Sequence, residues 1–124
     1  MGGPSVDALV SSLVSSLVSY CLAKPGAEET YPFGEGEMTC KVGGKAFAFI
    51  GLSGTLGVKC GPTAEAAAEW RQRYPSAVTV SAYIGRYGWN TVALDGTVPA
   101  AELRELVDAS YEDVVSRLPK SKRP

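Results

Sequence analysis

The chain has 124 residues, of which 45% are hydrophobic and 20% are charged, with a formal net charge of −1. A chain of this length folds as one domain and buries roughly two-thirds of its unfolded surface. It contains no histidine, which excludes Ser-His-Asp and Cys-His catalysis and the histidine-based zinc sites of hydrolases. The slight acidic excess counts against tight non-specific DNA binding, although a local basic patch remains compatible with it.

The three cysteines, at positions 21, 40 and 60, form no CxxC pair, and an odd number gives no disulfide framework. We expect buried, reduced thiols and a cytoplasmic protein. The four glutamates between residues 28 and 37 lack the spacing of a calcium loop. Gly43-Gly44-Lys45 is not a phosphate loop, because it lacks the two glycines spaced five residues apart and the Ser/Thr after the lysine. The sequence therefore predicts no metal site and no cofactor.

The first predicted element is an amphipathic helix over Ser5–Ala23. Valine and leucine recur at helical spacing from Val6 to Val18, and serines occupy the opposite face. The segment has no basic start and it carries Asp7. The pattern therefore indicates a helix that covers the core, and neither a signal peptide nor a membrane span.

Three strands follow this helix. From Glu37 apolar and polar residues alternate, and Gly43-Gly44 predicts a two-residue hairpin turn. The uninterrupted register that starts at this turn has three opposed pairs: Val42 with Lys45, Cys40 with Phe47, and Met38 with Phe49. It predicts that Phe49 lies on the core face. Thr55–Cys60 is the third strand.

The second half of the chain is predicted to be helix, two strands and helix. One helix lies between Gly61-Pro62 and Pro75, and the last begins near Pro99. The two strands between them keep Val80 level with Val92 on the core face. This register also has two further pairs and a loop: Tyr83 with Trp89, Ser81 with Thr91, and Ile84–Gly88.

The predicted element order is α-β-β-β-α-β-β-α. It indicates a two-layer α+β domain with an antiparallel sheet and helices mainly on one face. We expect a single domain over residues 1–124, with a flexible basic tail at 120–124.

Four sequence blocks carry a resemblance to a known family. They are Cys21–Gly26 (CLAKPG), Tyr31–Gly34 (YPFG), Lys41–Lys45 (KVGGK) and Arg86–Gly96 (RYGWNTVALDG). In this order they resemble the MmcQ/YjbR-like family of small bacterial proteins, over about residues 6–118. The resemblance implies a curved antiparallel sheet with helices mostly on one side. It also implies DNA binding, which is commonly assigned to such proteins.

Family members often carry Lys-x-His-Trp-Asn around the tryptophan of the last block. In this chain Gly88 stands at the position of that histidine, so no role of the histidine carries over. Trp89, Asn90 and Thr91 match the block, and Arg86 keeps a positive charge.

The sheet face away from the helices is the predicted working surface. An aromatic pair with basic and hydroxyl neighbours suits stacking on a planar ligand or base, with hydrogen bonds to phosphate or carbonyl groups. The alternative is that this face is covered, either by a second subunit or by the acidic Ala27–Gly36 segment acting as a lid. We predict no catalytic residue. The candidate binding residues are Lys41, Lys45, Lys59, Tyr83, Arg86, Tyr87, Trp89, Asn90 and Thr91.

Three functions remain open from the sequence. The first is a DNA-binding protein that uses the open face and the basic hairpin tips. The second is a binder of a flat aromatic small molecule, held between Trp89, Tyr83 and the Ala27–Gly36 loop. The third is an enzyme that uses Tyr, Lys or Glu. The resemblance favours the first function and the charge balance favours the second. The sequence does not decide whether the chain forms homo-oligomers.

Overall fold

The computed structural model describes residues 5–82 and 84–124, with only the backbone of Arg86. This part of the chain contains three α-helices and six strands. The helices are α1 (Val6–Leu22), α2 (Ala64–Arg73) and α3 (Ala100–Ser116). The strands are β1 (Glu28–Thr30), β2 (Glu37–Val42), β3 (Lys45–Gly51), β4 (Thr55–Lys59), β5 (Val78–Val80) and β6 (Trp89–Ala93). Short 3₁₀ helices cover Gly85–Tyr87 and Lys120–Lys122.

The strands form one antiparallel sheet in the order β1-β2-β3-β4-β6-β5. Helices α1 and α3 pack together across β2 and β3, and α3 continues over β4, while α2 lies beside β5. The predicted α+β class and element order are confirmed, with one addition. The short strand β1 lies in the segment that the sequence indicates as a loop. Among the described residues, no helix has both the length and the apolar character needed to cross a membrane.

Local sequence signals explain where the helices and the first hairpin begin. The hydroxyls of Ser5 and Thr63 accept hydrogen bonds from backbone amides three residues ahead, which caps α1 and α2. Gly43 and Gly44 have φ values of 57° and 83°, as a two-residue hairpin turn between twisted strands requires.

The β2–β3 register departs from the prediction three residues beyond this turn. Val42 pairs with Lys45 as predicted, but Cys40 then pairs with Ala48, and Phe47 has no partner across the ladder. Phe47 is therefore the extra residue of a β-bulge, and each later residue of β3 faces the opposite way from its predicted direction. The prediction that Phe49 lies on the core face is wrong. Phe49 pairs with Thr39 and lies on the face away from the helices.

The β5–β6 register also differs from the prediction. Val80 pairs with Asn90 and Val78 pairs with Val92, a shift of two residues. A shift of two preserves the inward and outward faces, so Val78 and Val92 are both buried. Val80, which was predicted in the core, is 56% exposed at the edge of the sheet. The predicted pairing of Tyr83 with Trp89 lies outside the described residues.

The hydroxyl of Ser110 on α3 occupies the space that the bulge opens between β3 and β4. Continuing the β3–β4 register past Ala48 and Val58 would pair Phe47 with Lys59. Instead, the Ser110 Oγ donates to the Phe47 carbonyl oxygen at 2.6 Å and accepts from the Lys59 amide nitrogen at 3.0 Å. Ser110 is fully buried, so it satisfies two backbone groups at a point that water does not reach.

The C-terminal segment folds back onto the β2–β3 turn. The Arg123 guanidinium donates to the carbonyl oxygens of Leu118 and Ser116 at 2.9 and 3.1 Å. The backbone at Gly43 lies so close that a Cβ there would be 3.0 Å from the Lys122 carbonyl oxygen. The sequence predicts a flexible tail, but the structure places this segment against the hairpin.

The three cysteines are free and buried, as predicted. Burial raises the pKa of Cys21 to about 12 and that of Cys40 and Cys60 to about 11. The thiolate, which is the reactive form, is therefore scarce at neutral pH.

We expect Ser110→Ala to lower the free energy of unfolding by about 3 kcal/mol, because it leaves the buried Phe47 carbonyl and the partly buried Lys59 amide without a partner. Urea unfolding measures this change. Ser116→Ala is the matched control on the same helix, because its exposed hydroxyl donates to the Asp113 carbonyl oxygen of the preceding turn. The control variant should lose less than about 0.5 kcal/mol. Equal losses in the two variants would contradict the role of Ser110.

We expect the three thiols of the folded protein to react slowly with a disulfide reagent at pH 8. A thiol of pKa 11 is ionised in about one molecule in a thousand at this pH, against about one in four for an ordinary cysteine. The rate should rise at least about 100-fold in urea, where the thiols are exposed. A thiol that reacts rapidly in the native protein would refute this prediction.

Candidate functional site on the open sheet face

The sheet face away from α1 and α3 carries two neighbouring hollows. The first hollow has a volume of about 380 Å³. Its described lining is mostly apolar and hydroxyl-bearing: Phe33, Glu37, Phe49, Thr55, Gly57, Ser81, Ala82, Ile84 and Thr91. It therefore combines strands β3, β4 and β6 with the segment between β1 and β2.

The second hollow has a volume of about 360 Å³ and lies beside the first. The two share Phe49 and Ile84. Beyond the bulge, β3 no longer pairs with β4, and side chains of α3 line the hollow through this gap. Its described lining is Lys45, Ala46, Phe49, Lys59, Ile84, Trp89, Val114, Arg117 and Leu118.

A row of three aromatic rings connects the hollows. The Phe33 and Phe49 ring centroids are 6.3 Å apart, and the Phe49 and Trp89 centroids are 5.3 Å apart, both in tilted arrangements. Phe49 lies opposite Gly57, and a Cβ at Gly57 would approach the Phe49 Cβ to 3.3 Å. The missing side chain at Gly57 thus leaves room for the Phe49 ring against the sheet.

The first hollow is polar through hydroxyls and one carboxylate. Ser81 and Thr91 hold their hydroxyl oxygens 3.0 Å apart, and Thr55 is exposed on β4. Among the described lining residues, Glu37 alone carries a charge. The hollow therefore suits an uncharged or positively charged ring with polar substituents.

The second hollow is positive. Lys59 and Arg117 both contact the Asp113 carboxylate, at 2.6 and 3.0 Å. Burial alone would raise the pKa of Asp113, but the hydrogen bonds from Lys59 and Arg117 outweigh it and lower the pKa. Asp113 is therefore ionised at neutral pH and offsets one of three positive charges. Lys45 is exposed and forms no ion pair with any residue in 5–82 or 84–124.

The structure brings together four of the predicted site residues and separates others from them. Lys45, Lys59 and Trp89 line the second hollow, and Thr91 lines the first. Lys41 lies on β2 opposite Glu28, and Tyr87 is exposed on the Gly85–Tyr87 turn. The Tyr83 residue and the Arg86 side chain lie outside the described part of the chain.

Asn90 faces the core and not the open surface. It is fully buried, its amide nitrogen donates to the Ala67 carbonyl oxygen at 3.0 Å, and its oxygen accepts from Arg71 at 2.7 Å. These bonds tie β6 to α2. The amide of this family block therefore serves the fold, and it is removed from the candidate site.

Sequence reasoning missed several lining residues. The sequence places Phe49 in the core, because a bulge leaves no mark in an alternating pattern. Val114, Arg117 and Leu118 belong to the end of the last helix and the residues just after it, and no local signal indicates that they line a hollow together with sheet residues. Within the Ala27–Gly36 segment that was expected to act as a lid, Phe33 contacts Phe49 and lines the first hollow.

Comparisons with known proteins agree on the family of this chain. The YjbR family model matches residues 22–113. "Uncharacterized protein YjbR" of Escherichia coli K12 is 36% identical over 111 residues, which cover 89% of this chain and 93% of that protein. The crystal structure of Deinococcus radiodurans protein DR2400, described as a DUF419 domain, superposes with a TM-score of 0.78 at 32% identity. That match covers 88% of this chain and 83% of the other.

A crystal structure of a Pseudomonas syringae protein shares the fold at lower similarity. The TM-score is 0.62 at 18% identity, covering 79% of this chain and 95% of that one. The family model and the Escherichia coli relative both extend over most of the chain, including the strands that form the two hollows. The chain therefore belongs to the YjbR family.

Proposed function

We propose that this protein binds a small, flat organic molecule whose ring, neutral or positively charged, lies in the first hollow. The observation that carries the proposal is the aromatic wall of Phe33 and Phe49 beside paired hydroxyls and a single carboxylate. A volume of about 380 Å³ lies within the usual range for small-ligand sites. Apolar walls with a few polar groups are also the usual composition of such sites.

The exposure of Phe33 supports this proposal. Its side chain is 70% exposed although it is a large apolar ring, and it leans towards Phe49 at the mouth of the hollow. A ring that stays exposed in the free protein gains apolar burial when a flat ligand stacks against it. Glu37 at the same hollow disfavours anions and favours cations by direct charge interaction.

Phe33→Ala should weaken the binding of a flat cation such as N-methylquinolinium about 5-fold, because it removes one stacking surface. Titration followed by backbone amide NMR shifts at Thr55 and Gly57 measures the affinity and locates the ligand. Tyr31→Ala is the matched control, since Tyr31 is an exposed aromatic of the same segment that does not line the hollow. Binding that is absent, or equally weakened by both changes, would overturn the proposal.

DNA binding is the second candidate function, and one structural feature favours it. The C-terminal segment places Lys120–Lys122 next to the β2–β3 turn, which carries Lys45. This arrangement concentrates basic residues at one end of an otherwise slightly acidic chain. Local positive charge of this kind attracts phosphates without base recognition.

If the protein binds duplex DNA, the binding should be weak and strongly dependent on salt. About three or four phosphate contacts imply a slope of roughly −3 in a plot of log affinity against log salt concentration. Lys45→Ala should flatten this slope by about one, and Arg104→Ala on α3 should not. Titrations of labelled duplex at several salt concentrations test this. No binding at low salt would remove the DNA candidate.

A further inference from the structure

We infer that the second hollow is a subsite for an acidic group on an aromatic ligand, so that the preferred ligand is an aromatic acid lying across Phe49. The inference rests on the proposed function, because the flat body of the ligand is placed against the aromatic row of the first hollow. The acidic substituent of the ligand then lies in the second hollow, and its ring extends across Phe49 into the first.

The floor of the second hollow accepts the edge of an aromatic ring. Trp89 and Phe49 of the sheet line it, together with Val114 of α3 and Leu118 just beyond the end of that helix. Such a surface binds an apolar ring but gives no direct preference for charge. Selectivity for a charged group therefore depends on the polar residues at the rim.

Three basic side chains form this rim. Lys59 and Arg117 share Asp113, so each offers its remaining N–H donors to a second acceptor. Lys45 is exposed and is not engaged by a described carboxylate. The local balance of three cations and one carboxylate is complementary to a single negative charge.

The two hollows have opposite electrostatic character along one surface. Glu37 marks the far end of the first hollow, and Lys45 with Arg117 marks the second. Because Phe49 and Ile84 line both, a rigid ring system is able to contact both hollows at once. An aromatic acid with a neutral or cationic opposite end satisfies both charge patterns.

The experiment compares probes that share one ring and differ in charge. We expect 2-naphthoate to bind about 5-fold or more tightly than 2-naphthamide at low salt, with amide shifts at Ala46 and Leu118. The preference should shrink as salt rises. A third arm, 2-naphthyl phosphate, distinguishes a carboxylate subsite from a phosphate subsite. Tighter binding of the phosphate would support the anionic subsite and assign it to phosphate esters.

Variants locate the charge preference at the rim. Lys45→Gln should weaken 2-naphthoate about 3-fold and leave 2-naphthamide unchanged, and Lys45→Arg should restore the affinity. Lys45 is exposed, so both changes are compatible with folding. Arg104→Gln is the matched control, because it removes the same charge from the exposed face of α3 about 20 Å along the helix from Arg117.

The outcomes separate this inference from the proposed function. Equal affinity for naphthoate and naphthamide, no detectable naphthoate binding, or a preference that is undiminished in Lys45→Gln would overturn the anionic subsite. N-methylquinolinium bound at Thr55 and Gly57 would still support the first hollow in that case. If N-methylquinolinium does not bind while 2-naphthoate does, the proposed function is overturned. Naphthoate selectivity that depends on Lys45 would still establish the anionic subsite.

Discussion

The open face of this protein depends on the hydroxyl of Ser110 between strands β3 and β4. The bulge separates the buried Phe47 carbonyl from the partly buried Lys59 amide, which would otherwise bond directly. Unpaired, each would lose its hydrogen bond with water without replacement, at a cost of about 1–3 kcal/mol. Ser110 bonds both, at 2.6 and 3.0 Å. One helix residue thus stabilises an irregularity that shapes the sheet on its opposite side.

The bulge determines the chemistry of the face. It reverses the direction of every later side chain in β3, so that Phe49 joins Trp89 and Phe33 and Ile50 enters the core. It also ends the pairing of β3 with β4, and the resulting gap makes the end of α3 part of the second hollow. Bulges are common next to functional sites, because they redirect side chains without breaking the sheet.

Charge is distributed unevenly over a chain that is almost neutral. Asp113 binds Lys59 and Arg117, and it therefore limits the positive charge at the second hollow while fixing α3 to β4. The first residue of β2, Glu37, lines the first hollow. This separation distinguishes the face from a uniformly basic surface, which would suit DNA, and it supports the proposed binding of a small ligand.

The sequence by itself determined the helices, the hairpin turn, the antiparallel α+β class and the burial of the cysteines. These follow from local signals such as apolar periodicity, helix caps and the Gly43-Gly44 turn, which act over a few residues. Only the tertiary structure decided the bulge, the two-residue shift at Val80, the inward direction of Asn90 and the docking of the tail. Three of these depend on a partner distant in sequence: Ser110 for Phe47, Ala67 for Asn90 and Gly43 for the tail. An alternating pattern is equally compatible with a continuous register and with a bulged one. The position of α3, which brings Ser110 to the strands, is needed to choose between them.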